Sequence, residues 1–330
     1  MSAPHIEPAL AEMMDAVFAE HAQDADLWRR LDDLGLVRLT GAEDAGGSGA
    51  GWLEAAELVS AAARHGARIP LAEHDLLACW LLDTAGITAD SARRTVCLFD
   101  AQGRATGAPW ASDADRIVAV WERDDEHLVA DLDPADLSIT FSANMIGEPR
   151  DTVTADLAVL SGTAVAAGQI AILRLKAALI RALQICAALD RALELSIEHA
   201  TTREQFGRPL SKFQAVQHLI SDIACEAALA RSATEAALTA AIASDWAAPS
   251  LEFLVASARS CAGHATSVVV RNAHQVHGAI GTTSEHRLHA FTRAALAWRS
   301  EFGSMRHWDD LLTDMALRAG PDGLWALIAP

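Results

Sequence analysis

The sequence predicts an α+β protein that is mainly helical, and three observations support this fold class. Residues 1–95 carry the apolar period of α-helices, and residues 96–165 contain short β-branched segments separated by turn residues. From residue 166 to residue 330, long Ala- and Leu-rich helical patterns return and continue to the end. We therefore predict an N-terminal helical domain (1–95), a small middle β domain (96–165) and a C-terminal helical bundle (166–330).

The N-terminal domain begins with a helical pattern through DLWRRLDDLGL, in which Leu27, Leu31 and Leu34 follow one face and Gly35 ends the helix. A second helix is predicted over residues 52–63, after the loop GAEDAGGSGAG. A third is predicted over HDLLACWLLDTAG, residues 74–86. Three helices in sequence, without an intervening strand, define this domain.

The middle domain is predicted from four strand-like segments. RRTVCLF, RIVAVWE, EHLVADL and SITFSA are short, rich in β-branched residues and bounded by turn residues. We interpret the segment DAQGRATG, residues 100–107, as a turn between the first two. The result is a compact β unit of modest size.

The C-terminal domain is predicted to contain long helices over residues 165–202, 211–244, 249–279 and 284–300, with a last helix after Gly303. The connections between them are short. Long helices joined by short loops pack antiparallel, so the pattern indicates a four-helix bundle.

Composition excludes several classes of function. The chain has 330 residues, of which 51% are hydrophobic and 21% charged, and its formal net charge is −18. A chain this acidic lacks the broad basic surface that nucleic acid requires. The N-terminus shows no signal-peptide pattern, and charged residues interrupt the most apolar run, residues 164–189. We predict a cytoplasmic protein with no membrane and no nucleic-acid partner.

No metal site is predicted. The five cysteines are scattered and form no CxxC pair. His286 and His289 are spaced i, i+3 on one predicted helix, but no third ligand is evident from the sequence, so we interpret them as surface or interface histidines.

Two motifs in the C-terminal half carry binding chemistry. The first, TTREQFGRPLSKFQ, contains an Arg, whose planar fork of donors engages phosphate oxygens. The second, QVHGAIG, contains glycines, which allow the backbone to approach a ligand closely. The candidate residues are Arg203, Gln205, Phe206 and Gln214 in the first motif, and Gln275, His277, Gly278, Ala279 and Gly281 in the second.

These motifs resemble those of the acyl-CoA dehydrogenase family. The R-x-x-F-G…F-Q element lies within residues 201–232 and the Q-x-x-G-G-x-G element within 275–308, with Ala279 in place of the second glycine. Residues 28–73 are similar to the family's N-terminal helical domain. The resemblance implies FAD as the cofactor. It also implies that the nine candidate residues contact the adenine and pyrophosphate end of an FAD bound mainly by a neighbouring subunit.

The catalytic base is the point at which the sequence departs from the family. The reaction needs a carboxylate to remove the α-proton of the acyl thioester. Ungapped alignment places Phe302 at one family position for this Glu, with Glu301 one residue earlier, and Ala177 at the other. Three interpretations stay open: Glu301 is the base of a self-sufficient homo-oligomer, a partner subunit supplies the base, or the chain is a non-catalytic scaffold.

The reduced middle domain resembles the smaller subunit of heteromeric, sterol-catabolic acyl-CoA dehydrogenases of actinobacteria. That resemblance implies a larger homologous partner in an α2β2 heterotetramer. It implies α,β-desaturation of an acyl-CoA thioester, with a steroid-derived CoA ester as one candidate substrate. Electrons would pass through FAD to an electron-transfer flavoprotein.

Overall fold

The computed structural model describes residues 6–328 and divides into two compact units. The first contains the described residues up to Leu58 together with Ala67–Ala177. The second contains Val59–Gly66 and the described residues from Ala178 onward. The fold is mainly helical with a small β portion, as the sequence predicts. The two boundaries between the three predicted domains, near residues 95 and 165, stay predictions.

Short helices form the first part of the first unit: α1 (Pro8–His21), α2 (Leu27–Asp33), the start of α3 (Trp52–His65) and α4 (Trp80–Thr84). Gly35 follows α2 with φ of 71°, and Leu36 N–H donates to Leu31 O across the helix end. This left-handed residue is the helix stop that the sequence predicts.

The helix predicted over residues 74–86 has a different form. It begins as a π-helical segment, Ala72–Cys79, and continues as α4. The wider π-helical turn places Glu73, His74 and Asp75 in the interior, each 3% exposed or less. Buried charged groups are satisfied by specific partners: Asp75 accepts hydrogen bonds from the amide and the hydroxyl of Thr40 at 2.9 and 3.0 Å.

Two sheets complete the first unit. A four-stranded sheet has the order β1-β3-β4-β7, and a three-stranded sheet has the order β2-β6-β5. β1 and β3 run parallel, and β3 and β4 form an antiparallel hairpin whose turn residues, Asp124 and Asp125, both have positive φ. Side chains from both sheets share one apolar core that includes Cys97, Trp121 and Val153. The strands are β1 (Arg94–Leu98), β2 (Arg104–Pro109), β3 (Arg116–Arg123), β4 (Glu126–Leu132), β5 (Ser138–Thr140), β6 (Arg150–Thr154) and β7 (Thr163–Val165).

The interpretation of residues 100–107 as a turn is wrong in its second half. β2 begins at Arg104 and pairs with β6, a strand that the sequence pattern did not mark. Both strands contain polar or small residues, such as Thr106 and Asp151, and a bulge lies between Thr106 and Ala108. Pairing with a neighbour stabilises these strands, because β2 contains Gly107 and Pro109 and β6 contains Asp151, residue types that are depleted in strands.

Long helices build the second unit, and their predicted positions are confirmed. They are the main part of α5 (Ala167–Thr202), α6 (Gln214–Ala243), α7 (Leu251–His277), α8 (Leu288–Trp298) and α9 (Met305–Ile328). A short hairpin, β8 (Glu204–Gln205) and β9 (Arg208–Pro209), follows α5. Gly320, with non-helical backbone angles, kinks α9 ahead of Pro321.

One stretch, Leu251–Thr282, is long and apolar enough to cross a membrane by length and composition alone. Half of its most apolar window is buried within the protein. It also carries Arg259, which is 2% exposed. Burial of this kind is typical of a core helix in a bundle.

Candidate functional site

The first predicted motif forms an exposed hairpin at the end of α5. Gln205 pairs with Arg208, and the two residues of the turn, Phe206 and Gly207, have φ of 53° and 78°. Two positive φ values in succession are those of a tight hairpin turn, in which a residue with a Cβ is disfavoured. Phe206 is nevertheless there, with its side chain 88% exposed. A strained, exposed aromatic side chain is unusual unless a ligand or partner covers it.

Two arginines flank this turn, and their side chains differ in the contacts that they make. The Arg208 guanidinium lies over the ring of Phe213, 4.2 Å from its centroid. The Arg203 side chain is exposed and makes no hydrogen bond or ion pair with any residue that the structure describes. Arg203 is therefore the cation of the hairpin that is available to an anionic ligand.

The second predicted motif lies at the C-terminal end of α7. Gln275, Gly278 and Ala279 are exposed. Gly278 has φ of 64° and ψ of −145°, a region that is accessible almost only to glycine, and no atom lies within 4 Å of where its Cβ would be. The backbone here is open to a ligand.

Gly281 has a different role in the same motif. It is buried, and a Cβ at this position would lie 2.9 Å from Cβ of His277 and 3.1 Å from Cδ2 of Leu288. Packing within the protein explains this glycine. Gln214, from the first motif, is exposed at the first residue of α6.

The structure brings the ends of α5 and α7 together. His199 lies one helical turn before Arg203, whose amide donates to His199 O at 2.9 Å. The His199 ring stacks on that of His277, with centroids 4.5 Å apart. Two motifs separated by about 70 residues in the sequence therefore meet through these rings. The sequence analysis did not identify His199.

His277 is the buried residue of the second motif. Its side chain is 5% exposed, and its Nδ1–H donates to Ala273 O at 2.8 Å. Its Nε2 is buried and has no hydrogen-bond partner among the described residues. Burial, with smaller contributions from His199 and His286, lowers the pKa of His277 to about 4, so the ring is neutral near pH 7.

Glu301 lies away from the two motifs in the connection between α8 and α9. Its carboxylate accepts a hydrogen bond from Arg181 Nε at 2.7 Å, and the two side chains are 14% and 1% exposed. The Arg181 guanidinium also lies over the ring of Phe302, 5.1 Å from its centroid. A carboxylate held this closely by a buried guanidinium is stabilised as the anion.

A second buried arginine holds the backbone around Glu301. Arg259 donates from Nη2 to the carbonyl oxygens of Glu301 at 2.8 Å and of Gly303 at 3.1 Å. Burial, with the charge of Arg181, lowers the pKa of Arg259 to about 9, against the opposite effect of Glu301. Neither arginine was predicted as a site residue, although Arg181 stands out in the sequence as a charge within an apolar run.

Two family sequence models match this chain. The N-terminal domain of acyl-CoA dehydrogenase matches residues 3–93, and its C-terminal domain matches residues 161–305. Together they cover well over half of the chain and leave residues 94–160, which contain six of the seven strands of the two sheets, unmatched. Among curated proteins, the acyl-CoA dehydrogenase IpdE2 of Mycobacterium tuberculosis is 29% identical over 309 residues, covering 89% of this chain and 86% of that protein.

Solved structures share the fold. The ChsE4–ChsE5 complex of Mycobacterium tuberculosis has a TM-score of 0.81 at 22% identity, covering 97% of this chain and 100% of the matched chain. A variant of the Tcur3481–Tcur3483 steroid acyl-CoA dehydrogenase has a TM-score of 0.83 at 22% identity, covering 94% of this chain and 97% of the matched chain. The sequence models and these relatives together show that this chain belongs to the acyl-CoA dehydrogenase family, whose members are FAD-dependent flavoproteins.

Proposed function

We propose that this chain is the smaller subunit of a heteromeric acyl-CoA dehydrogenase and supplies the adenine and pyrophosphate half of an FAD site to a catalytic partner. The larger homologous subunit holds the flavin ring and the catalytic base. The assembly is an α2β2 heterotetramer that desaturates an acyl-CoA thioester between its α- and β-carbons. An electron-transfer flavoprotein is the electron acceptor.

The observation that carries this proposal is the exposed hairpin at the end of α5. Arg203 offers a guanidinium that pairs with none of residues 6–328, and Phe206 offers an aromatic side chain that is 88% exposed. A guanidinium suits a pyrophosphate, and an aromatic face suits a planar ring or an apolar partner surface. Both groups are exposed, which suits a ligand held largely by another chain.

The second motif fits the same cofactor. The backbone at Gly278 is open, and Gln275 and Ala279 are exposed beside it. His199 and His277 join this segment to the helix end that carries Arg203. FAD, when bound, accepts the hydride from the β-carbon of the substrate. The residues of this chain hold its phosphates and adenosine in place.

The state of Glu301 favours a base in the partner subunit. The Glu301 carboxylate is only 14% exposed and already accepts a hydrogen bond from Arg181 at 2.7 Å, so it is engaged within this chain. The chains similar to this one include members of two complexes, ChsE4–ChsE5 and Tcur3481–Tcur3483, and the second is described as a steroid enzyme. Both support a heteromeric assembly, and the second supports a steroid-derived CoA ester as the substrate class.

Co-expression with the homologous larger subunit tests the proposal. We expect the chain alone to be colourless and the purified complex to show a flavin absorbance band. Arg203→Ala should lower the FAD occupancy of the complex at least tenfold, because it removes a charge-assisted contact with phosphate. The control is Arg306→Ala, which removes an arginine that is 89% exposed and paired with Asp310.

Other results would favour the alternatives. One such result is a chain that is yellow when purified alone and is bleached by an acyl-CoA. If the Glu301→Gln variant loses that activity, the chain is a self-sufficient dehydrogenase. If Arg203→Ala leaves the flavin occupancy of the complex unchanged, this chain is a non-catalytic scaffold subunit. Unchanged turnover of Glu301→Gln within the complex agrees with a base from the partner.

A further inference from the structure

Three histidines from three separate segments meet in the second unit. His199 comes from the end of α5, His277 from the end of α7, and His286 from the connection before α8. One ring nitrogen of each lies within 4.8 Å of those of the other two. The sequence analysis paired His286 with His289, its neighbour in the chain. The structure places two other histidines beside it.

His277 presents a free lone pair to this group. Its Nδ1–H is used by Ala273 O at 2.8 Å, which leaves Nε2 unprotonated in the neutral ring. That Nε2 is buried without a hydrogen-bond partner in the described part of the chain, in a side chain that is 5% exposed. A buried, unpartnered acceptor is costly. A histidine that binds a metal ion through one ring nitrogen often donates the N–H of the other to a backbone carbonyl, as His277 does to Ala273 O.

The other two rings are arranged around His277. The centroid of His199 lies 4.5 Å away in a stacked geometry, and that of His286 lies 4.5 Å away edge to face. The His199 side chain makes no hydrogen bond with any described residue. His286 Nδ1 accepts from Leu288 N–H at 3.1 Å, so ligation through Nε2 would give up this one hydrogen bond.

We propose that His199, His277 and His286 bind a divalent transition-metal cation, Zn²⁺ or one of similar ligand preference. Imidazole nitrogens suit this class of ion, whereas Mg²⁺ and Ca²⁺ prefer oxygen. Zn–N distances of about 2.0–2.1 Å bring ligand nitrogens to roughly 3.3 Å from one another, so binding requires the rings to move closer and the stacked His199 ring to turn until its nitrogen points at the ion. A water molecule completes the tetrahedron.

Such an ion has a structural consequence. It links the end of α5, the end of α7 and the segment before α8, which contribute one ligand each. It thereby fixes the hairpin of Arg203 relative to the exposed Gln275–Ala279 backbone. The site uses only residues of this chain and does not depend on flavin binding or on the proposed assembly.

Titration of the full-length, metal-stripped chain with Zn²⁺ alone tests the proposal. We expect calorimetry to give one ion per chain, and the unfolding temperature to rise with Zn²⁺ concentration, because the ion binds the folded state. Mg²⁺ at the same concentrations should produce neither effect. No heat of binding and no shift in unfolding temperature with millimolar Zn²⁺ would overturn the site.

Variants locate the ion. His199→Ala and His286→Ala, two partly exposed positions, should each lower Zn²⁺ affinity at least tenfold, while far-UV circular dichroism stays unchanged. His218→Ala, an exposed histidine of α6, is the matched control and should keep full affinity. Binding of one ion that survives both cluster variants would place the metal elsewhere and refute the assignment. Flavin occupancy of the complex is a separate measurement, so either proposal can fail alone.

Discussion

His74 in the first unit and His277 in the second are both buried, at 3% and 5% exposure, but their surroundings differ. His74 Nδ1 accepts from Arg94 N–H at 3.0 Å, and its ring contacts the Cys79 sulfur and the edge of Trp28. His277 makes one hydrogen bond, to Ala273 O, its Nε2 has no partner among the described residues, and its ring lies beside two more histidines. The ring nitrogens of His74 have partners in the core, whereas Nε2 of His277 has none among the described residues.

The comparison shows that burial alone does not identify a functional histidine. Both side chains have a lowered pKa, and burial is the largest cause in both. What distinguishes them is whether each ring nitrogen has a partner. The three predictions that follow test this distinction.

The largest expected effect belongs to His74→Leu. It leaves Arg94 N–H buried without an acceptor and removes the ring that packs on Trp28, so we expect a loss of about 2–4 kcal/mol in the free energy of unfolding. His277→Leu in the metal-free chain should cost less than about 1 kcal/mol, because it also removes an unsatisfied nitrogen. Urea unfolding followed by tryptophan fluorescence measures both. Equal losses would mean that the two rings are equally satisfied.

The pH dependence of stability gives the next largest effect. Burial, followed by the charges of Arg38, Arg94 and Arg93, lowers the pKa of His74 from 6.5 to about 3. The unfolded chain therefore binds a proton at His74 near pH 6.5, whereas the folded chain does not bind one until about pH 3. The contribution of His74 to the free energy of unfolding is fully present above about pH 6.5. It is lost as the pH falls toward 3, by at most about 1.4 kcal/mol per pH unit.

Urea unfolding at a series of pH values checks this slope. His74→Leu should flatten the part of the profile between pH 6.5 and 3, since the variant has no proton to bind at this position. A variant profile parallel to that of the unchanged protein would show that other groups control acid unfolding of the first unit.

The smallest expected effect is that of His264→Ala. His264 Nε2 lies 3.1 Å from a carboxylate oxygen of Asp309, but its side chain is 58% exposed. Exposed ion pairs contribute about 0–1 kcal/mol, so the free energy of unfolding should change by no more than that. Thermal unfolding measures the change. A loss above about 2 kcal/mol would show that the exposed fraction of a histidine side chain does not predict how much that side chain stabilises this protein.

Local patterns were sufficient to predict most of the fold. The helices α5, α6 and α7 lie within a few residues of their predicted bounds, because long segments with a continuous apolar period specify helix without help from distant residues. β2 and β6 were not predicted, because they are stabilised by pairing with each other. The π-helical form of Ala72–Cys79 also depends on its buried partners.

The candidate site likewise contains residues that the sequence predicted and residues that it did not. Arg203 and Gln275 were identified because their linear motifs resemble those of the family, and an Arg suits phosphate. Their roles in binding FAD stay predictions. The partners of Glu301 could not be predicted, since Arg181 lies 120 positions earlier and Arg259 approaches from a different helix, α7.

The sequence by itself determined that this chain is an acidic, mainly helical member of the acyl-CoA dehydrogenase family, because composition, apolar period and short motifs are local properties. The tertiary structure alone decided that Arg181 pairs with Glu301 and that His199, His277 and His286 face one another. The physical reason is that an ion pair or a ligand cluster depends on distances of a few ångströms in space. Packing of the long helices sets those distances between residues far apart in the chain.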